Sequence, residues 1–246
     1  MIQWNSWRGM TLFFAAVAIQ LLTGPVAGGQ ALSVLPVNVM LGPNQRAATL
    51  SLSNHDTKQM AIQIRAYAWN QKDGNDQLTD SDQLVASPPI ATIPPGAMQV
   101  VRLILRQPPA GREVTYRILV DQIPPPAEVG VVHVVLRLSI PIFAQPASPA
   151  VPRIRFHIEK ENGQLVLVGV NNGLRHEAIR NITLRAKDGR ELKEEPSASP
   201  YILAGSTRRW RMVGQGSLPP ANESMRLAAH GDGGAIEQTV VVEAAP

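Results

Sequence analysis

The chain has 246 residues, of which 44% are hydrophobic, 17% charged and 4% aromatic, with 19 glycines, 21 prolines and no cysteine. That composition excludes a disulfide scaffold and thiol chemistry, and it favours many turns and short strands around an aliphatic core. The formal net charge is +4, but residues 32–146 carry nine basic against eight acidic side chains and residues 147–246 thirteen against eleven; no strongly basic, aromatic-rich patch of the nucleic-acid-binding kind is present.

The N-terminal segment reads as an export signal. Arg8 precedes an apolar run from Met10 to Leu22, and the small-residue stretch TGPVAGGQA follows. A charge, a short apolar run and small residues in that order make a secretory signal peptide. Gln20 and the shortness of the run argue against a membrane anchor, because a span needs about 20 apolar residues. Cleavage is expected after Ala31, with Gly28 as the alternative, so residues 1–31 are set apart from the fold and no membrane insertion is expected afterwards.

From Leu32 onward the chain reads as strands separated by turn residues. LSVLPVNVML (32–41) ends at Gly42-Pro43, and RAATLSLSN (46–54) alternates and ends in Asn-His-Asp. MAIQIRAYAW (60–69) leads to the turn signal Lys72-Asp73-Gly74-Asn75. QLTDSDQLV (77–85) is read as a polar loop. MQVVRLILR (98–106) follows Pro94-Pro95-Gly96, and EVTYRILVDQI (113–123) stops at three prolines. VVHVVLRLSIPIFAQP (131–146) then places Val132, Val134, Leu136, Leu138, Ile140 and Ile142 at alternate positions. Six alternate aliphatics exceed the length of an ordinary strand, which is about 5–6 residues in all. The last strand of any sandwich also turns an apolar row to its own core, so the row alone leaves both uses open. Val131 and Val135 make the other face apolar as well, and such an edge needs a covering partner.

QPASPAVP (145–152) is the expected linker. Beyond it strands are expected at 153–159, 164–172, 178–186, 208–213, 224–230 and 236–243, with Lys187-Asp188-Gly189-Arg190 as a hairpin turn. RRWR (208–211) reads as a solvated strand face. Ile93, Gly96 and Arg102 recur at the same spacing as Ile202, Gly205 and Arg211, each time before a strand, which suggests two related domains. The expected fold class is therefore all-β: two immunoglobulin-like β-sandwich domains, over 32–146 and 147–246.

Signals for catalysis are absent. The five histidines are dispersed, and no metal-ligand spacing, phosphate loop or nucleophile elbow occurs. No cofactor, metal or enzymatic activity is expected.

LSVLPVNVML, ATLSLSN, IPPGAMQVVRL, YRILVDQIPPP and LRLSIPIFAQP, in that order and spacing, carry a resemblance. The chain resembles the periplasmic PapD-like chaperones of the chaperone–usher pilus pathway, and YRILVDQIPPP with SPPIATIPPG is similar to the archaic branch, which serves spore-coat-like pilins. The resemblance implies an L-shaped pair of domains that caps pilin subunits by donating a strand and delivers them to an outer-membrane usher. It makes Val132, Val134, Leu136, Leu138 and Ile140 the donor candidates, and it implies pilin subunits and the usher as partners in the periplasm. Whether the free protein caps itself as a homo-oligomer stays open. In classical members two basic residues, one in the first strand and one in the seventh, anchor the pilin's terminal carboxylate. Those positions hold Asn38 and Pro141 here. Arg117 is the first candidate to replace them, Arg102 the second, and Ser139 an assisting hydrogen-bond partner. The alternative reading is an exported two-domain adhesin or pilus component. The chain would start almost directly at its first strand after cleavage, without an N-terminal donor segment, and that favours the chaperone.

Overall fold

The computed structural model describes residues 31–126, 130, 134–196, 199–216 and 219–243. Residues 1–30 of the expected signal segment 1–31, and Val131 and Val132, lie outside the described residues. No helix among the described residues is long and apolar enough to cross a membrane.

Ten strands build the first half: β1 Leu32–Leu35, β2 Val39–Leu41, β3 Ala47–Asn54, β4 Met60–Lys72, β5 Asn75–Asp80, β6 Leu84–Ser87, β7 Ile90–Ile93, β8 Met98–Leu105, β9 Val114–Ile123 and β10 Arg137–Ala144. They form two sheets, β1-β3-β8-β6 and β2-β10-β9-β4-β5, with β7 also paired to β4. Strands such as β3 and β8 alternate, and the inward residues Leu50, Leu52, Ile62, Val101, Leu103, Ile118, Val120, Ile140 and Ile142 meet in one aliphatic core. That alternation is what binds two sheets face to face.

The second half holds β11 Ile154–Glu161, β12 Gln164–Asn171, β13 Glu177–Ala178, β14 Arg180–Arg185, β15 Glu191–Glu194, β16 Tyr201–Ile202, β17 Thr207–Val213, β18 Ser224–Gly231 and β19 Gly234–Val241. Its main sheet runs β11-β12-β17-β15-β14-β18-β19. Ile158, Leu167, Ile182, Leu184, Trp210 and Leu227 form its core.

The spacing shared by Ile93–Gly96 and Ile202–Gly205 has a physical counterpart. Buried Asn54 donates through Nδ2 to the carbonyls of Lys58 and Ile93, at 2.8 and 2.9 Å. Buried Asn171 does the same to Arg175 and Ile202, at 2.8 and 3.3 Å. The backbone repeats it: Asn54 N–H donates to Ala97 O and Asn171 N–H to Ser206 O. Gly96 and Gly205 turn the chain at φ +67° and +71°. Each half is thus closed at one end by the same asparagine bracket, and buried carbonyls that would otherwise cost about 1–3 kcal/mol are satisfied in the same way.

Two expectations are corrected. The stretch 32–41 is not one strand: it bends over 36–38, so β1 joins one sheet and β2 the other. The expected polar loop at 77–85 contains β5, which forms a hairpin with β4 through Lys72↔Asn75 and Tyr67↔Asp80. Its residues are all exposed, so hydrophobic alternation gave no sign of it. Ladder bonds to β4 and the turn Asp73-Gly74, with φ of 52° and 80°, hold it instead.

Candidate functional site: an open strand edge beside an arginine cleft

β10 is the strand expected to be donated. It pairs antiparallel with β9 along its whole length, from Arg137↔Asp121 to Ala144↔Val114. On its other side β2 pairs only with Ile142, Phe143 and Ala144. Among the described residues, the stretch from Arg137 to Pro141 therefore has one side without a strand partner. Strand geometry fixes which main-chain groups face that side. Gln145 N–H donates to Leu41 O, toward β2, whereas Gln122 N–H donates to Leu136 O, toward β9. Because directions alternate, the N–H and C=O of Arg137 and Ser139 and the C=O of Pro141 point to the open edge. Pro141, which has no N–H, sits where its loss leaves the β9–β10 ladder intact.

The apolar row on β10 is divided. Ile142 and Ile140 are buried in the first core, Ile140 at 2% exposure. Leu138 and Leu136 are half-buried against its rim, and Val134 is 83% exposed. Val135 is exposed too. Ile140 thus belongs to the chain's own core, and the part of the row not enclosed by that core is Val134, Leu136 and Leu138.

The candidate carboxylate ligands fare differently. Arg117 on β9 is the direct cross-strand neighbour of Pro141. The pair occupies a position without ladder bonds between the two residues, where side chains approach most closely. Ser139 is exposed on the same strand face. Arg102 is elsewhere. It lies on β8 in the other sheet, exposed between Thr49 and Ser87, and is not brought together with Arg117.

Arg117 does not point into open solvent; its side chain is 12% exposed. Its guanidinium lies 3.8 Å from the centre of the Trp69 ring and 6.0 Å from that of Tyr201. Nη2 is 4.0 Å from Asp76 Oδ2 and 3.4 Å from Ser199 Oγ. Burial lowers the Arg117 pKa, with Asp76 and Tyr201 opposing the shift and Arg208 adding to it.

Arg208 on β17 supplies a second guanidinium. Nη1 is 3.3 Å from Asp76 Oδ1. It also donates to Gly74 O at 3.4 Å, and Nη2 donates to Ser199 O at 3.1 Å. RRWR is therefore only half a solvated face: Arg208 and Trp210 turn inward, and Arg209 and Arg211 turn outward. The tip of the β4–β5 hairpin carries these contacts. A Cβ on Gly74 would lie 2.9 Å from Arg209 Cγ. Gln71 Nε2 donates to Tyr201 O and Gln71 Oε1 accepts from Leu203 N–H. Trp69, Phe143 and Leu203 close an apolar cluster beneath, to which Tyr201 adds its ring.

A second polar contact joins the halves. His176 Nδ1 lies 2.7 Å from Glu113 Oε1, both side chains nearly inaccessible, and Phe143 stacks on the imidazole at 3.6 Å. Elsewhere, His157, Glu159 and Glu243 bring three potential metal-ligand atoms within 4.8 Å of one another, a grouping the dispersed histidines did not suggest. Arg209 already binds Glu159, at 2.5 Å, and holds its carboxyl below the usual range; burial opposes this and His157 assists.

Comparison with known proteins identifies the frame. The family described as pili and flagellar-assembly chaperone, PapD N-terminal domain, matches residues 31–150. Residues 31–150 belong to the PapD-like pilus chaperones. The chain is similar to the chaperone protein PapD of Escherichia coli, 27% identical over 142 residues, a match covering 56% of either chain. The aligned part thus spans a little over half the length of that relative. The fold is shared more widely. A chain of the CsuC–CsuE chaperone–tip adhesion subunit complex from archaic Csu pili of Acinetobacter baumannii superposes with a TM-score of 0.63 at 20% identity, over 88% of this chain and 100% of that one. The Salmonella enterica SafA pilin–SafB chaperone complex gives a TM-score of 0.58 at 13% identity, over 85% and 95%. In such a domain, the open side of β10 and the cleft beside it are the features to explain. The sequence reading missed Asp76, Arg208, Trp69 and Gln71. Their signals were the turn at 72–75, which aims the hairpin across to β17, and for Arg208 the cluster RRWR, read as solvated.

Proposed function

We propose that this chain is a periplasmic chaperone that caps pilin subunits through the open edge of β10 and delivers them to an outer-membrane usher. The observation that carries the proposal is the one-sided strand from Arg137 to Pro141, with Arg117 beside its end. A pilin strand added there would pair with the main chain of Arg137 and Ser139. Val134, Leu136 and Leu138 would fill the subunit's open apolar groove. Val132 extends the same row in the sequence and is retained as a donor candidate. Arg117 would receive the subunit's terminal carboxylate in place of the cation missing at Pro141, with its planar fork giving two parallel bonds. Similarity to the archaic Csu complex supports assignment to that branch.

The absence of native cysteine makes a direct test clean. Ser139→Cys should form a disulfide with a cysteine placed in the last strand of a captured pilin subunit, since bridging requires Cα atoms about 4.4–6.8 Å apart. Arg102→Cys, on the other sheet, should form none. Equal crosslinking at both positions, or none at Ser139→Cys in a stable complex, would rule out this docking edge.

A further inference from the structure

Two nearly buried guanidinium groups share one carboxylate in the cleft. Arg117 and Arg208 have side-chain exposures of 12% and 10%, and Asp76 bridges them at 4.0 and 3.3 Å. Among the described residues, their other hydrogen-bond contacts are neutral, with the carbonyls of Gly74 and Ser199 and the hydroxyl of Ser199. Arg209, the adjacent cation, is committed to Glu159 and Glu161 on another face. A desolvated cation is stable only when paired, so two cations against one anion leave an excess positive charge that favours a carboxylate. Gln71 Nε2 holds Asp76 Oδ1 at 2.8 Å, so the carboxylate is placed in the cleft by its own hairpin.

We propose that Asp76 occupies the anchor as an internal carboxylate in the free chaperone, and that Arg208 is the anchor's second cation. An incoming terminal carboxylate takes the place of Asp76 between Arg117 and Arg208. The site is thus assembled from both halves of the chain: β9 supplies one arginine, β17 the other, and the β4–β5 hairpin the resident anion. This rests on the reading of Arg117 as the carboxylate anchor. A ligand that brings its own carboxylate has to displace Asp76, whereas one without a carboxylate leaves it in place, so the resident anion reduces the advantage of the acid.

The test compares a strand-forming peptide of alternating valine and threonine that ends in a free carboxylate with the same peptide as its C-terminal amide. Binding to the full chain is measured by calorimetry. The anchor reading itself requires the acid to bind more tightly than the amide and Arg117→Ala to remove that preference; equal binding to the unmodified chain overturns both readings. With the preference present, Asp76→Asn should raise the acid-to-amide affinity ratio about fivefold, the scale of one partly exposed ion pair, and Arg208→Gln should lower it by a similar factor. The amide of Asp76→Asn retains an oxygen for Gln71, so the hairpin contact survives. A purely structural Asp76 leaves the ratio unchanged or reduces it, and that result overturns the present proposal while leaving the anchor at Arg117 intact. Should Arg208→Gln fail to fold, the sign of the Asp76→Asn effect decides alone.

Discussion

Replacing Val134 with glutamate separates binding from folding more cleanly than any other change in the row. Val134 is 83% exposed in the free protein and precedes β10, so a charge there meets water and should leave the melting temperature within about 1–2 °C, as for a surface change of under 0.5 kcal/mol. In a subunit groove the same position would be enclosed. Full burial of a valine side chain is worth about 1.5–3 kcal/mol, and a carboxylate forced into that pocket also loses its hydration. The expected loss is at least tenfold and up to about a hundredfold in affinity. Leu136→Glu should weaken capture to a similar degree, but Leu136 is half-buried against the first core and its substitution should also lower stability. The assay is titration of a pilin subunit lacking its own final strand, with thermal unfolding run in parallel. Full affinity in Val134→Glu would refute the donor role of this row.

Three further outcomes follow from the geometry. Arg117→Lys keeps the charge but loses the planar fork and the stack on Trp69, so affinity for a free-carboxylate ligand should fall about tenfold, measured by calorimetry against the amide. Asn54→Ala and Asn171→Ala should each cost about 1–3 kcal/mol by leaving buried carbonyls unpaired, and denaturant titration should show comparable losses for the two. Burial opposes the charge on Asp121, but Arg137 and Arg65 outweigh it and hold its pKa below the ordinary value. A depressed folded pKa contributes stability above the unfolded value of about 4 and loses it as pH falls through the folded one, so the stability advantage over Asp121→Asn should shrink from about pH 5 downward.

Legibility followed the balance between local and non-local causes. Strands with one apolar face, such as 46–54 and 98–106, announced themselves by period two, because burial of alternate residues is written along the chain. β5 did not, because its side chains are all exposed and its ladder to β4 leaves no hydrophobic trace. The row 132–142 read as uniform, yet the fold gives Ile140 and Ile142 to the first core and leaves Val134 outside. Packing against the facing sheet decides that division, since Ile140 is buried although β2 pairs only with Ile142, Phe143 and Ala144, and hydrophobicity along the chain does not encode where that packing ends. Arg117 was legible as an outward residue on a strand expected beside the last one. Arg208 and Asp76 were not, since the cleft joins residues 132 positions apart through a hairpin turn whose aim only the folded chain reveals.

Residue-resolved amide exchange of β10, with and without bound pilin, tests strand donation most directly. Leu138 and Ile140 face β9 and should be protected in both states, whereas the Arg137 and Ser139 amides face the open edge and should exchange freely until the subunit binds. Protection of these two on binding, with no change at their even-numbered neighbours, is the result expected of an added strand. If Arg137 and Ser139 stay unprotected in a complex that is otherwise formed, the subunit is held by some other surface and the account fails.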